Sequence, residues 1–354
     1  MNDAPKHAPA PFAEQFPQQF PEPFAARSSG PWRRAGRALA RNRAAMLSLA
    51  VLLAIGLACL AAPLYARYLA HTDPFTSNVA GTLLLDGRQV DIMQPNDNPL
   101  HLGLSPIGPT WRMSADLLGA DSQGRDVAAR LLYGGRNSLL ISLCAAMLCI
   151  GLAAAVGIVA GYAGGVVDAV LSRLMDIMWA VPVYLFAISL SIVTVSQGLR
   201  LGPVTIASDN VLIPICIIAL VYVPYVARPV RGRVMALRRA EFVTAARGLG
   251  VPAHRIVLRD ILPNVAGTLV VLAPLVMALA LMAESALSFL SIGVQAPAAS
   301  WGTIIQDGEG LIYTRPMVAV APGLAIVAVV LALNVLGDGM RDALDVRDAG
   351  RGGG

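Results

Sequence analysis

Long uncharged apolar runs constrain the fold of this chain more than any other feature. The clearest run, residues 44–66, has 23 residues without a charged side chain, and about 20 apolar residues suffice for a helix to cross a bilayer. Five further apolar runs occur at residues 138–163, 177–195, 211–227, 265–283 and 317–337. Since backbone polar groups in lipid must be satisfied within each segment, the runs predict an all-α integral membrane protein with six transmembrane helices.

The composition supports a membrane protein and argues against a lone soluble domain. The 354 residues are 56% hydrophobic and 14% charged, whereas soluble proteins have about a quarter of their residues charged. The net charge of +5 is concentrated in basic patches that flank apolar runs. Membrane orientation explains such patches, so we do not expect nucleic acid as a partner, and we expect the core to be shared with lipid and with partner subunits.

The cysteines and histidines do not indicate a metal site. The cysteines lie inside apolar runs and are predicted to be small buried hydrophobic residues rather than a disulfide frame; they are Cys59, Cys144, Cys149 and Cys216. The four histidines are scattered along the chain. Because the sequence also offers no nucleophile–base pair, we predict a subunit that is not an enzyme and holds no metal.

The distribution of arginine predicts the topology. Residues 32–43 hold five arginines and no acid, which places the start of the first helix in the cytoplasm, behind a disordered tail over residues 1–30. Residues 67–136 hold six arginines and seven aspartates, which predicts an extracytoplasmic segment, with a β-hairpin at its Asp86-Gly87 pair. Residues 137–340 would form a core of five helices, and an even number of spans returns the tail at residues 341–354 to the cytoplasm.

Residues 228–264 form a polar island between the fourth and fifth spans, and the count of spans places them in the cytoplasm. The island holds eight arginines and two acids, so its charge is 8 − 2 = +6. Apolar side chains at roughly helical spacing predict two short helices. Gly250 is expected to take the left-handed conformation that ends the first helix, and Pro252 is expected to open the second helix at its first position. We expect this helix–turn–helix to dock on a partner.

Few ionisable residues are expected at mid-membrane depth. Asp168, Arg173 and Asp176 precede the third span at its cytoplasmic end, and Glu284 closes the fifth span at its outer end. An ion-coupled carrier usually binds its coupling ion with acids near the midplane. A carrier is therefore the disfavoured alternative, and the energy for any transport is expected to come from elsewhere.

Four segments resemble one membrane-protein family. The island matches the EAA loop of ABC-importer permeases, E-x-x-x-A-A-x-x-x-G-x-x-x-x-x-I-x-x-x-x-x-L-P, through Glu241, Ala245, Ala246, Gly250, Ile256, Leu262 and Pro263. Residues 119–140, 284–302 and 334–347 are similar, in the same order, to further signatures of the C-type permeases of dipeptide and oligopeptide importers. The resemblance covers residues 33–347, nearly the whole chain.

The resemblance implies a fold, partners and a coupling site. It implies the type I (MetI-like) importer fold, a homologous B-type permease subunit, two cytoplasmic ABC ATPases and an extracytoplasmic substrate-binding protein. ATP and Mg²⁺ would bind to the ATPases, since this chain has no G-x-x-x-x-G-K-[ST] phosphate loop. The residues expected to couple to the ATPases are Glu241, Phe242, Ala245, Ala246, Gly250, Ile256 and Pro263.

The expected roles of these residues differ. Phe242 and Leu249 would fill an apolar cleft on the ATPase, Glu241 would pair with Arg238 or Arg239 or with the partner, and Pro263 would separate the second short helix from the fifth span. Residues 121–136 and 285–301 would meet the binding protein, line the pathway mouth or pack structurally. The substrate could be a peptide, nickel, glutathione or another small solute, because such importers share these signatures.

Overall fold

The computed structural model describes residues 31–85, 87–96, 103–112, 114–197, 199–201, 204–207 and 210–349. The predicted N-terminal tail and residues 350–354 lie outside the described residues. The described elements follow the chain in this order: α1 (Pro31–Arg41), α2 (Arg43–Leu60), α3 (Ala62–Leu64), β1 (Thr82–Leu85), β2 (Arg88–Asp91), β3 (Met93–Pro95), β4 (Leu104–Pro106), α4 (Val127–Ala163), α5 (Gly165–Ala180), α6 (Val183–Gln197), β5 (Leu199–Leu201), β6 (Val204–Ile206), α7 (Leu212–Arg238), α8 (Glu241–Gly248), α9 (Ala253–Ile256), α10 (Leu262–Phe289), α11 (Trp301–Gly308) and α12 (Met317–Ala349).

Five helical segments of the described chain are long and apolar enough to cross a membrane. They are Arg43–Leu60, Val127–Ala163, Leu212–Arg238, Ala253–Phe289 and Met317–Leu344. Each overlaps one of the predicted spans, and most extend beyond it, because polar residues at the ends continue the helix outside the apolar run.

The predicted third span, residues 177–195, is not a single straight helix. Helix α5 ends at Ala180 and α6 begins at Val183, and the two are bent by 91°. Pro182 lacks a backbone N–H and disfavours helical geometry at the preceding residue, and Val181 is indeed extended, with φ −89° and ψ 130°. Six spans are reached only if this bent pair counts as one, because α6 with 15 residues is only about 22 Å long.

The segment between the first two spans contains the predicted hairpin. Strands β1 and β2 pair antiparallel with Leu85 opposite Arg88, and Gly87 between them has a positive φ of 78°. This part of the prediction is confirmed. Asp86 of the predicted pair lies outside the described residues. Strands β3 and β4 form a second antiparallel pair and β5 and β6 a third; neither of these pairs was predicted.

Helix α4 packs closely along α7 and forms the centre of the bundle. Gly157 and Gly161 permit this approach: a Cβ atom at Gly157 would lie 2.8 Å from the carbonyl oxygen of Ala227, and one at Gly161 would lie 2.8 Å from that of Arg231. Both contacts are with backbone, which cannot move aside as a flexible side chain can. Any larger residue at either position would therefore separate the two helices.

The cysteine prediction is right for two of the four residues. Cys59 and Cys149 are buried, but Cys144 and Cys216 are exposed, and all four are free thiols. The exposed pair lies on sides of α4 and α7 that this chain does not cover. Periodic apolar character alone does not distinguish a face that packs inside one chain from a face that meets lipid or another subunit.

Residues 121–136 pack inside the chain through a network of buried charges. The Arg125 guanidinium donates to the carboxylates of Asp121 at 2.7 Å and Asp307 at 2.9 Å, and Arg130 donates to Asp307 at 2.6 Å. Asp126 caps α4 by accepting from the backbone N–H groups of Ala128 and Ala129. The network joins the loop before α4 to α11, so the structure supports the packing role that was one of the alternatives for this segment.

Glu284 is buried inside α10 instead of closing the span. The helix continues to Phe289, and the Glu284 side chain is fully buried. Its carboxylate accepts from the Ser288 hydroxyl at 2.8 Å and, at a longer distance of 3.4 Å, from the Ser285 hydroxyl. The Glu284 carboxylate, which predicted the end of the span, accepts hydrogen bonds within α10, so the helix continues past it.

Asp116 is predicted to make the stability of the loop before α4 depend on pH. Burial, followed by the charges of Asp126 and Asp121, raises the pKa of Asp116 from 3.8 to about 7. A raised pKa means that the fold favours the protonated carboxyl, so its contribution to stability is present in acid and is lost as the pH rises through about 7.

We expect Asp116→Asn to remove this dependence, because the amide carries no charge at any pH. Thermal unfolding of the purified protein between about pH 4 and pH 7 measures the effect. For the wild type, the free energy of unfolding should fall by at most about 4 kcal/mol over this range. Exposed Asp91→Asn is the control and should keep the wild-type profile. An unchanged pH profile in Asp116→Asn would contradict the assignment.

Candidate functional site

The polar island folds into the predicted helix–turn–helix, and we call residues 239–261 the elbow. Helix α7 runs past its apolar part to Arg238, α8 follows at Glu241–Gly248, and α9 follows at Ala253–Ile256. A π-helical turn, Val257–Ile261, then leads into α10. The elbow thus connects two membrane-spanning helices through two short helices.

The turn between α8 and α9 depends on Gly250. Its φ is +73°, which side chains other than hydrogen disfavour. The Val251 N–H donates to the Ala246 carbonyl at 3.1 Å, and the Gly250 N–H donates to the Arg247 carbonyl at 3.0 Å. This pair of bonds is a Schellman motif, which satisfies carbonyls at the end of α8. The predicted left-handed stop is confirmed.

Pro252 in the elbow and Pro263 just after it differ from the predictions. Pro252 was predicted to be the first helical residue of α9, but it is the N-cap, and the helix begins one residue later at Ala253. Pro263 does not separate the elbow from the fifth span, since Ala253–Phe289 forms one continuous helical segment. The π-helical turn just before Pro263 accommodates a residue that cannot donate to the preceding turn, and the helix therefore passes through the proline.

The apolar side chains of α8 divide into an inner and an outer set. Val243 is fully buried, whereas Phe242 is 47% exposed and the adjacent Leu249 is 83% exposed. Phe242, Ala245 and Leu249 are spaced by three and four residues and thus share one face of the helix. We call these three residues the outer face. Large apolar side chains that are grouped and exposed in this way are typical of an interaction surface.

The remaining predicted coupling residues occupy different environments. Glu241 is exposed in the first turn of α8, and Gly250 and Pro263 are also exposed. Ala246 is half-buried, and Ile256 is fully buried in the main core. Ile256 therefore anchors the elbow to the bundle and cannot itself contact a partner. Among the described residues, no ion pair of Glu241 is present, so the predicted pair with Arg238 or Arg239 is not formed.

Two of the eight arginines link α7 to α5, which sequence reasoning missed. Arg231 donates to Asp168 through two nitrogens, with Nη2 at 2.7 Å from Oδ2. Arg228 donates to Asp176 at 2.9 Å, and its guanidinium lies 4.8 Å from the centroid of the Trp179 ring. The signal was present in the sequence: two aspartates eight residues apart share a face of one helix, and the arginines of α7 can reach both.

The described residues contain no group of three or more histidine, cysteine or acidic side chains that could hold a metal ion. The chemistry of the elbow is instead that of a docking surface: an exposed apolar face on a short helix held by a buried anchor.

Comparisons with known proteins agree with this architecture. The family described as "Binding-protein-dependent transport system inner membrane component" matches residues 153–347, and "N-terminal TM domain of oligopeptide transport permease C" matches residues 30–84. The first match spans more than half of the chain and includes the elbow with both flanking helices.

Curated relatives match over most of their length. The dipeptide transport system permease protein DppC of Alkalihalophilus pseudofirmus is 34% identical over 89% of this chain and 90% of its own. The oligopeptide transport system permease protein OppC is 35% identical in Mycobacterium bovis, over 87% and 92%, and 32% identical in Escherichia coli, over 90% and 91%.

A solved structure of the inward-facing MetNI methionine ABC transporter matches 60% of this chain and 95% of its own chain, with 17% identity and a TM-score of 0.48. The assignment rests on the family and on the curated relatives, which cover both the first span and the core. This chain belongs to the permeases of binding-protein-dependent ABC transporters, within the family of dipeptide and oligopeptide permeases.

Proposed function

We propose that this chain is the C-type permease subunit of an ATP-driven importer of dipeptides or oligopeptides. It would form the translocation path with a homologous B-type permease subunit. Two cytoplasmic ABC ATPases would supply the energy, and an extracytoplasmic binding protein would deliver the substrate. The observation that carries this proposal is the elbow, with its outer apolar face exposed and its base anchored between two spans.

The arginine distribution supports an orientation in the bacterial cytoplasmic membrane. Arginines concentrate in residues 32–43 and in the elbow region, and positive residues favour the cytoplasmic side. We infer that α1, the elbow and the C-terminal end of α12 are cytoplasmic, and that residues 67–136 are extracytoplasmic. Residues 137–340 would then be the permease core.

The elbow is suited to transmit motion because its ends are continuous with two spans. A displacement of α8 would pass to α7 on one side, and through α9 and the continuous Ala253–Phe289 segment to α10 on the other. The Asp168–Arg231 and Asp176–Arg228 pairs would carry α5 along with α7. Glu241, Phe242, Ala245, Ala246 and Gly250 would contact or shape the ATPase interface, while Ile256 and Pro263 would connect it to the bundle.

This chain would itself bind neither ATP nor Mg²⁺; both would act on the ATPases. The alternative substrates, nickel, glutathione or another small solute, use the same machinery, and the relatives' names favour peptides. The ion-coupled carrier remains disfavoured, because a carrier of that class has no ATPase that would bind the exposed outer face.

Reconstitution tests the function directly. The complex purified with its partners should accumulate labelled dipeptides or oligopeptides in vesicles when ATP and the binding protein are present, and this chain alone should transport nothing. Accumulation of nickel or glutathione without peptide uptake would overturn the substrate class. Uptake by this chain alone, driven by an ion gradient, would overturn the ABC assignment.

Gly250 is predicted to be required because of its left-handed backbone conformation and not because a side chain would lack room. A Cβ at this position has no atom within 4 Å, so a side chain fits, but the left-handed conformation costs a β-branched residue about 1–2 kcal/mol. We expect Gly250→Val to reorient α8 and to lower ATP-dependent uptake about tenfold, while the amount of chain in the membrane is unchanged.

Gly250→Asn is the matched control, because asparagine tolerates the left-handed region. It should keep most of the uptake although its side chain is of similar size. Equal loss in both variants would show that side-chain size matters here, and wild-type uptake in Gly250→Val would contradict the role of the turn.

A further inference from the structure

A cleft with three arginines lies on the bundle side of the elbow. Its volume is about 450 Å³, and it is lined by Gly161, Met235, Arg238, Arg239, Thr244 and Arg247. Half of these residues are arginines and none is acidic. The cleft therefore presents concentrated positive charge in a concave surface, which suits an anion.

The three arginines are held near the cleft, and Asp168, the acid that attracts Arg238, is shared with Arg231. The Arg247 guanidinium lies 4.9 Å from the centroid of the Tyr162 ring, and Arg238 packs over Gly164, where a side chain would collide with it. Among the described residues, no carboxylate lies within 4.0 Å of any of the three guanidiniums. The neighbouring Asp168 is already bound by Arg231.

The cleft lies where the apolar run of α4 ends, beside the polar extension of α7. Gly161 is in the last turn of the Val127–Ala163 span, and Arg238 is the last residue of the Leu212–Arg238 span. The nearby start of α5 carries an exposed apolar side chain, Val166, which is 79% exposed and lies two residues after Gly164. A positive cleft next to an exposed apolar residue at this depth matches the level of lipid headgroups.

The cleft also faces away from the side of α8 that we assign to the ATPase. At 100° per residue, Thr244 and Arg247 lie on the side of α8 roughly opposite to Phe242, Ala245 and Leu249. The assignment of the outer face to the ATPase rests on the proposed function, whereas the charge of the cleft and its depth in the membrane do not. An ATPase seated on the outer face would leave the cleft open toward the membrane.

We propose that this cleft binds the phosphate headgroup of an anionic phospholipid. Arginine guanidiniums bind phosphate oxygens through paired hydrogen bonds, and the acyl chains would lie along the apolar surface near Val166. The bound lipid would hold the base of the elbow at the membrane surface, on the opposite side from the ATPase.

Native mass spectrometry of the protein with its co-purifying partners tests the site. Phosphatidylglycerol is titrated into the wild type, into the cleft variant Arg238→Gln/Arg239→Gln/Arg247→Gln, and into the control variant Arg233→Gln/Arg255→Gln/Arg259→Gln. The control removes the same charge at exposed positions outside the cleft. We expect the cleft variant to bind the lipid roughly a hundredfold more weakly, and the control to change by about twofold or less.

Three further arms make the outcome specific. Replacing the cleft arginines by lysine keeps the charge but removes the paired hydrogen bonds, so binding should fall between that of the wild type and that of the glutamine variant. Thermal unfolding of each variant shows that the fold persists. Phosphatidylcholine, which has no net charge, should bind more weakly than phosphatidylglycerol. Inorganic phosphate at equal concentration should not displace the lipid.

The proposal is overturned if the cleft and control variants bind phosphatidylglycerol equally, or if inorganic phosphate displaces it at equal concentration. It is also overturned if the cleft variant keeps the lipid but loses co-purifying ATPase subunits, since the arginines would then pair with acids of the ATPase. Each of these results leaves the peptide-uptake assay, and thus the proposed function, separately testable.

Discussion

The backbone-to-backbone approach of α4 and α7 is the contact on which the rest of the bundle depends. Gly157 and Gly161 bring the two helices together near the membrane surface, where α7 continues out of the bilayer. Because α7 is held along its length, its end at Arg238 has a defined position, and α8 starts from there. The ion pairs of Arg228 and Arg231 fix α5 to the same helix. The position of the elbow is therefore a consequence of helix packing.

The elbow combines a local stop with a continuous connection. The Schellman motif at Gly250 turns the chain sharply after α8, while the π-helical turn lets α9 run into α10 despite Pro263. Ile256 is buried and Phe242 and Leu249 are exposed, so one end of the elbow belongs to the bundle and the other is free for a partner. An arrangement of this kind can transmit a displacement, because no long flexible link allows the docking helix to move independently of the spans.

Much of this architecture follows from local sequence signals, and the failures share one cause. The apolar runs predicted the spans, the Asp86-Gly87 pair predicted the hairpin, and Gly250 predicted the turn, because each is a short-range effect. The 91° bend at Val181-Pro182 is likewise a local effect of the proline. The burial of Glu284 and the ion pairs of Asp168 and Asp176, by contrast, depend on which helices become neighbours. A single sequence does not show those neighbours, and it likewise does not show that arginines of two helices converge on one cleft.

The central claim is that the outer face of α8 contacts the ATPase, and site-specific photo-cross-linking tests it most directly. A photoreactive amino acid placed at Leu249 in the purified complex should cross-link to an ATPase subunit, with a yield that changes when ATP is added. The same group at Leu84, which is comparably exposed on the hairpin, should give no ATPase product. A cross-link from Leu249 only to lipid or to another permease chain, with the ATPases present, would contradict the account.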